Sequence, residues 1–466
     1  MIGLNIQNVS KEKIGATHGV EIDALFGEYR GQIADIVTRL YAEKDTEGGW
    51  KKWLNLGYDE TLAKEILAYA KTVESHYEDL VILGIGGSSL GGYALLKALL
   101  HPYWNNLSRE KRGGFPRFHF IENVDADQIN GLLDILEPKT TLVNVITKSG
   151  TTAETMSAFM ILKEWLEKSL TQAELKKRLV LTTDKKKGLL RQIANEGGYT
   201  TFEVPDDVGG RFSIFSAVGL LPAALCGVDI GELQRGIKEL DAVLKNSELK
   251  DNPAAQNAVL QIYYYKQQKP ISVFMPYSYR LAAASDWYVQ LWAESLGKKK
   301  DLDGKVVHEG PTPVRAVGVT DQHSQVQLFN EGPNDKIFTF IEVTQPDQDV
   351  TIPQQFNHIE DLQYLNGQPI SRLMGAEFES TRASITSNQR PNVTLTLKKV
   401  DAFYFAQLLY FLEVQTAIAG ALLNIDPFDQ PGVELAKVYT HALMGKKGYE
   451  HLVDEARGVK TPATVQ

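Results

Sequence analysis

Thr147-Lys148-Ser149-Gly150-Thr151-Thr152 lies between two stretches of different character. Before it runs Leu142 to Ile146, an apolar segment that reads as a buried strand; after it comes Ala153 to Leu170, which reads as a helix. Four hydroxyls, one ammonium and one glycine thus stand where a strand hands over to a helix. Free backbone N–H groups and the positive end of the helix dipole make such a place suited to an anion. Hydroxyls donate to phosphate oxygens, and Gly150 admits close backbone approach. An ordinary helix start also uses Ser or Thr as its cap, but a cap needs one hydroxyl, not four with a lysine.

A second turn of this kind lies upstream. The strand-like run Leu80–Ile85 leads into Gly84-Ile85-Gly86-Gly87-Ser88-Ser89-Leu90-Gly91, followed by the helical stretch Tyr93 to His101. The dinucleotide fingerprint would need glycine where Ser89 stands, and no Gly-Lys-Ser/Thr closes a P-loop. Glycines with hydroxyls at a helix start suit a sugar phosphate better than a dinucleotide. Two hydroxyl-rich turns on two strands of one sheet are a stronger signal than either alone.

The chain has 466 residues, enough for two or three domains with ample core. Its 43% hydrophobic and 23% charged content is that of an ordinary globular protein. A net charge of −9 argues against nucleic acid as a partner, while leaving room for a local anion site. Cys226 is the single cysteine, set in an apolar run, so a disulfide framework is out of reach and a reducing, cytoplasmic compartment is expected. Met1 to Glu21 lacks a basic segment leading into an apolar one, so no signal peptide is expected. No apolar run is expected to reach the length of a membrane span.

Residues 1–70 read as a helical, charged packing arm. From there strands alternate with helices: Leu80–Ile85, Phe118–Glu122, Leu142–Thr147, Leu179–Thr183 and Thr200–Val204, then a buried helix from Ser213 to Cys226. A polar stretch, Lys245 to Asn257, is the linker candidate. Beyond it the alternation resumes with strands Ile271–Met275, Ala316–Val319, Ile337–Val343 and Val393–Leu397, and with helices Leu281–Leu296, Ala402–Asn424 and Val433–Leu443. Gln345 to Gly375 reads as an excursion. The pattern predicts an α/β protein with two parallel sheets between helices, a first unit over 71–240, a second over 255–437 and a tail over 438–466.

Four further positions bear chemistry. Arg211, in Asp206-Asp207-Val208-Gly209-Gly210-Arg211-Phe212-Ser213, can present its fork to an anionic or enolate oxygen, or can simply pair with Asp206 or Asp207. Gln290 and Glu294 share one face of a helix beside Trp292, Ala293 and Leu296. That apolar setting raises the basicity of a carboxylate, although an isolated glutamate is more often solvated. His323 sits at a junction where a structural histidine is the ordinary reading. The other eight histidines show no metal-ligand spacing, which favours metal-free chemistry. Glu434 and Lys437 are three apart on a helix and can pair.

Taken together, these motifs closely resemble the glucose-6-phosphate isomerase (phosphoglucose isomerase) family, bacterial type. The resemblance runs from about Leu80 to Lys437. Its two long signatures are Asp-x-Val-Gly-Gly-Arg-Phe-Ser at 206–213 and Gly420 through Phe428-Asp429-Gln430-x-Gly432-Val433-Glu434-x-x-Lys437. It implies two sugar-isomerase (SIS) domains, no metal or other cofactor, and a homodimer acting on a small sugar phosphate in glycolysis and gluconeogenesis. By the resemblance, Glu294 moves a proton between C1 and C2 through a cis-enediol, and Arg211 stabilises the enediolate. His323, reaching in from the neighbouring subunit, opens the ring with help from Lys437. Ser88, Thr147, Lys148, Ser149 and Thr152 match the phosphate cradle; Gly86, Gln290 and Gln430 match further sugar contacts. Many relatives have Ser at the position of Thr147, and eukaryotic ones have Asp at that of Ser89. Two other readings use the same domains: a dual glucose/mannose phosphate isomerase, and a non-catalytic sugar-phosphate sensor. A sensor needs the cradle but not Glu294, His323 or Lys437.

Overall fold

The structure, a computed structural model, describes residues 1–73 and 76–458. The chain opens with a short strand, β1 (Gly3–Asn5). The first sheet then assembles from β2 (Asp79–Leu83), β3 (Arg117–Ile121), β4 (Thr141–Ile146), β5 (Leu179–Thr183) and β6 (Thr200–Glu203). All are parallel, in the order β3-β2-β4-β5-β6. Strands β2, β4 and β5 are buried along their whole lengths, so they read as continuous apolar runs rather than alternating ones. Asp79, buried at the head of β2, accepts two hydrogen bonds of 2.8 Å from Arg117 and lies 2.8 Å from His119 on β3.

Between β2 and β4 the strand order reverses. From β2 the chain steps outward to β3, then returns across the sheet to β4 on the other side. Open parallel sheets bind ligands at such a switch point, beyond the carboxyl ends of the strands. The glycine turn after β2 and the hydroxyl turn after β4 both lie there.

The second sheet contains β7 (Ile271–Pro276), with β8 (Lys298–Lys300) and β9 (Val306–Glu309) forming a separate hairpin, then β10 (Thr312–Arg315), β11 (Lys336–Val343) and β12 (Asn392–Leu397). Its order is β1-β12-β11-β7-β10. β1 runs antiparallel to β12, pairing Leu4 with Leu395. The N-terminal arm therefore supplies an edge strand as well as the expected helices, Ile22–Ala42 and Glu60–Val73. The helix Ala402–Leu422 lies at the centre, packed against Ile230–Leu244, Pro253–Lys266 and Ala282–Leu296. Its most apolar window has a mean hydropathy of 1.3, enough in length and composition for a membrane span, contrary to the expectation that no run would reach that length. That window is 94% buried inside the protein: a helix enclosed on every side is apolar on every side.

Four other readings need correction. The strand expected at Ala316–Val319 is Thr312–Arg315 instead. Pro313 hid it, because proline cannot donate within a sheet; β10 is an edge strand, where that loss is tolerated. The linker candidate is shorter than Lys245–Asn257: Asn252 accepts from the Ala255 N–H at 3.1 Å, and a helix starts at Pro253. The polarity of that stretch is partly internal, since Asn257 is buried and donates to Gln415 at 2.7 Å. The excursion ends early, because Ile370–Ser387 is a helix. In the first unit, the buried helix starts at Ala217 rather than Ser213, with Ser216 accepting from the Val218 N–H. Part of the expected tail, 459–466, lies outside the described residues.

Glu413 lies in the middle of the central helix, wholly buried, and neither carboxyl oxygen finds a hydrogen-bond partner among the described residues. Burial pushes its pKa well above 4.5. The unfolded chain releases this proton near 4.5 and the folded chain only at higher pH. Stability is therefore fully present below 4.5 and is lost as pH rises towards the folded value, by at most about 1.4 kcal/mol per pH unit. Glu413→Gln removes that slope. The melting temperature of the variant relative to the parent should climb steadily as pH rises above 4.5. A pH-independent difference would mean the carboxyl is not neutral in the fold.

Candidate active site

At the cradle, the helix Ala153–Glu167 begins directly after Thr152. Thr152 occupies the cap position but makes no capping hydrogen bond. Its hydroxyl instead lies 3.3 Å from that of Thr147. Ser149 and Thr151 place their hydroxyls 2.7 Å apart. Gly150 turns the backbone with φ +71°, and a side chain there would collide with Leu190. Thr147 and Ser149 also accept from the backbone N–H groups of Gly150 and Thr151. The four hydroxyls are thus pooled around a helix N-terminus rather than spent on capping, as an anion site requires. Lys148 has partners of its own. Its ammonium donates to the Pro205 carbonyl at 2.9 Å and lies 5.2 Å from the centre of the Trp50 ring. Burial lowers its pKa, while Asp206, Asp184 and Asp207 oppose that shift.

The glycine turn meets this region from β2. Gly86 has φ +57°, and a Cβ there would come within 2.9 Å of the Gln290 amide. A Cβ on Gly87 would overlap the backbone of Gly210. Only glycines let the turn of Gly86–Ser88 touch both the Arg211 segment and the helix Ala282–Leu296.

Arg211 is 2% exposed. Its Nε donates to Ser295 at 2.7 Å. Its Nη1 donates to Gln430 at 2.6 Å and Glu294 at 3.3 Å, and its Nη2 to the carbonyls of Pro427 at 2.5 Å and Asp429 at 2.9 Å. Gln290 donates to the other oxygen of Glu294 at 3.0 Å. Glu294 keeps 32% of its side chain exposed. This decides between the two readings of Arg211: it pairs with Glu294, while Asp207 pairs with Lys52 at 2.8 Å. Burial lowers the guanidinium pKa from its ordinary value, opposed by Glu294, Asp429 and Asp426. Arg211, Glu294, Gln290, Gln430 and Gly86 are therefore brought into one cluster, with Ser88 at its edge on the glycine turn.

Two expected residues are not in that cluster. His323 is exposed on the short turn Thr320–His323 before the helix Val326–Glu331. Among the described residues no hydrogen bond joins it to Arg211, Glu294 or Gln430. Lys437 pairs with Glu434 at 2.7 Å on an exposed helix, Glu434–Leu443. That is the simple pairing their spacing allows.

The sequence reading missed three contributors. Ser295 and Lys298 follow Glu294 directly. Lys298, almost fully buried, donates to the carbonyls of Glu294 at 2.8 Å and Asp429 at 2.6 Å and pairs with the Asp429 carboxylate at 3.0 Å. It ties the end of the helix to the segment that holds Arg211. A lysine at a helix C-terminus is an ordinary cap signal, so only its burial reveals the role. The third, Trp53, comes from the N-terminal arm, far from either signature, and stacks on Phe212 with ring centres 5.0 Å apart.

Comparison with known proteins agrees with this geometry. Residues 68–456 match the family model for phosphoglucose isomerase. The chain is 40% identical to a glucose-6-phosphate isomerase of Carboxydothermus hydrogenoformans, over 97% of this chain and 95% of the relative. It is 45% identical to one of Rubrobacter xylanophilus, over 80% of this chain and 83% of the relative. Among solved structures, a hypothetical protein of Thermus thermophilus superposes with a TM-score of 0.85 at 36% identity, covering 96% of this chain and all of the other. A glucose-6-phosphate isomerase of Chlamydia trachomatis gives 0.77 at 21% identity, over 95% of this chain and 89% of the other, which bears on the fold. A carboxylate, a buried guanidinium and a pooled set of hydroxyls at a switch point are thus found in a chain that belongs to the phosphoglucose isomerase family, whose reaction is the reversible isomerisation of glucose 6-phosphate to fructose 6-phosphate.

Proposed function

We propose how this chain divides that reaction among its residues. Ser88, Thr147, Ser149 and Thr152 hold the phosphate, with Lys148 as the nearby positive charge. Gly86 leaves room for the sugar chain, and Gln290 and Gln430 orient its hydroxyls. The phosphate is remote from the reacting carbons and fixes their position. Glu294 takes the proton from C2 of the open-chain aldose and returns it to C1 of the cis-enediol, so no proton is gained or lost overall. Arg211 faces the oxygen on which negative charge develops. The observation that carries this reading is the Glu294 carboxylate, half-buried and held by Arg211 on one oxygen and Gln290 on the other.

Ring opening is assigned to His323 of the partner subunit, with Lys437 assisting. Support comes from the exposure of His323 and its separation from the cluster of its own chain. The protein is accordingly read as a homodimer with shared sites. It is also read as cytoplasmic, in keeping with a single, buried, free cysteine.

Three measurements check this assignment. Glu294→Gln keeps size and packing but cannot accept a proton from carbon. Its kcat should fall by about 10²–10⁴-fold with little change in KM, and exchange of solvent tritium into C2 should vanish in parallel. Near-normal turnover would transfer the role to Glu434. Replacing Ser149 and Thr152 together by Ala should mainly raise KM, each lost charge-assisted bond costing roughly 1.5–3 kcal/mol; an unaltered KM would move the phosphate elsewhere. Finally, His323→Ala and Glu294→Gln subunits, each inactive alone, should regain activity when mixed, because a mixed dimer contains one intact site. No regain would place His323 in its own chain's site.

A further inference from the structure

The segment that follows the helix Ile22–Ala42 reaches both sides of the cluster. Lys52 pairs with Asp207 at 2.8 Å, and Trp53, one residue on, is 1% exposed. The Trp53 indole stacks on Phe212 at 5.0 Å with an interplanar angle of 30°. It also lies 6.5 Å from the Phe428 ring, and Phe212 and Phe428 are themselves 5.4 Å apart. Phe212 is the residue after Arg211. Phe428 stands between Pro427 and Asp429, whose carbonyls both accept from Arg211 Nη2. One indole therefore touches the two chain segments whose separation sets the donor and acceptor distances of the guanidinium. Tyr410 backs the indole from the central helix at 6.1 Å and is anchored through its hydroxyl to Asp241.

We propose that Trp53 is a positioning residue for Arg211, an aromatic wedge from the N-terminal arm that holds the Phe212 and Phe428 segments at the spacing the guanidinium needs. The inference rests on the role given to Arg211 above. Three rings in offset contact make a stiff spacer. A smaller, flexible side chain lets the two segments close or slide, and Arg211 follows them. Misplacement of a group by about 1 Å can cost about 10²-fold in rate, whereas the phosphate cradle, on another turn, keeps its geometry.

The test compares Trp53→Leu, Trp53→Phe and Arg211→Lys, each assayed in both directions well below its own melting temperature. Trp53→Leu should lower kcat by about 10- to 100-fold with KM nearly unchanged, and Trp53→Phe should recover most of the loss because it restores a ring. A merely structural role would lower the melting temperature and leave kcat per folded molecule alone. That result, or a rise in KM with kcat intact, would overturn the proposal. If Trp53→Leu does not fold, Phe428→Leu reads the same contact from the other side, and normal kcat there overturns the proposal equally. Arg211→Lys separates the two levels of inference. If its kcat is normal, the assignment of Arg211 has failed; if its kcat falls while that of Trp53→Leu does not, only the wedge has failed.

Discussion

The site depends on a buried charge. Arg211 has lost nearly all contact with water, and an unpaired guanidinium in that position would be heavily destabilising. Its N–H groups find Ser295, Glu294, Gln430 and two carbonyls. Those acceptors belong to the end of one helix and to a loop more than a hundred residues further on, so satisfying one side chain fixes two distant segments relative to each other. Lys298, just beyond the end of the same helix, repeats the arrangement, bridging Glu294 and Asp429 by their carbonyls. The contact from Arg211 to Glu294, at 3.3 Å, is the longest of the five. On the proposed assignment it is the one a substrate oxygen replaces, the remaining four acceptors still holding the guanidinium.

The cradle follows different physics. Its positive potential comes from backbone N–H groups at a helix start rather than from a buried side-chain charge. Lys148, the formal cation of that turn, is engaged with Pro205 and Trp50. A cradle made mainly of backbone dipoles, with the Lys148 ammonium held by other partners, thus differs in kind from the fixed guanidinium. The glycines at 86 and 87 let the glycine turn meet the Arg211 cluster, since any side chain would push it away from Gln290 and Gly210.

Much of this was legible in the sequence, for reasons that can be named. Buried parallel strands are apolar throughout, so β2, β4, β5, β7, β11 and β12 announced themselves within two residues of their observed ends. The hydroxyl turn was legible because it holds more donors than a cap can use. Elements set by non-local contact were hidden. β1 is three residues long and exists only because β12 offers an edge, and β10 contains a proline that a central strand would not accept. Residue types alone left Arg211 undecided between an anionic or enolate oxygen and Asp206 or Asp207; in the fold it pairs with Glu294, while Lys52, from the N-terminal arm, pairs with Asp207. Trp53 looked like any buried aromatic, because nothing local marks a ring whose neighbours lie about 160 and 375 residues away in a chain folded by long-range packing.

The exposure of His323 and Lys437 has a physical reading of its own. His323 lies on an exposed turn, and Lys437 lies on an exposed helix with Glu434 as its ion-pair partner, so neither is held by the Arg211 cluster of its own chain. Arg211 and Glu294, by contrast, are each held by more than one hydrogen bond, Glu294 by Arg211 on one oxygen and by Gln290 on the other. Proton transfer at carbon needs its base and its oxyanion partner held to a fraction of an ångström, and on the proposed assignment those are the groups the fold immobilises. Ring opening moves protons between oxygen and nitrogen, a faster exchange that tolerates a looser donor. On that assignment, the division between rigid and exposed groups in this chain matches the division between the hard and easy steps of the reaction.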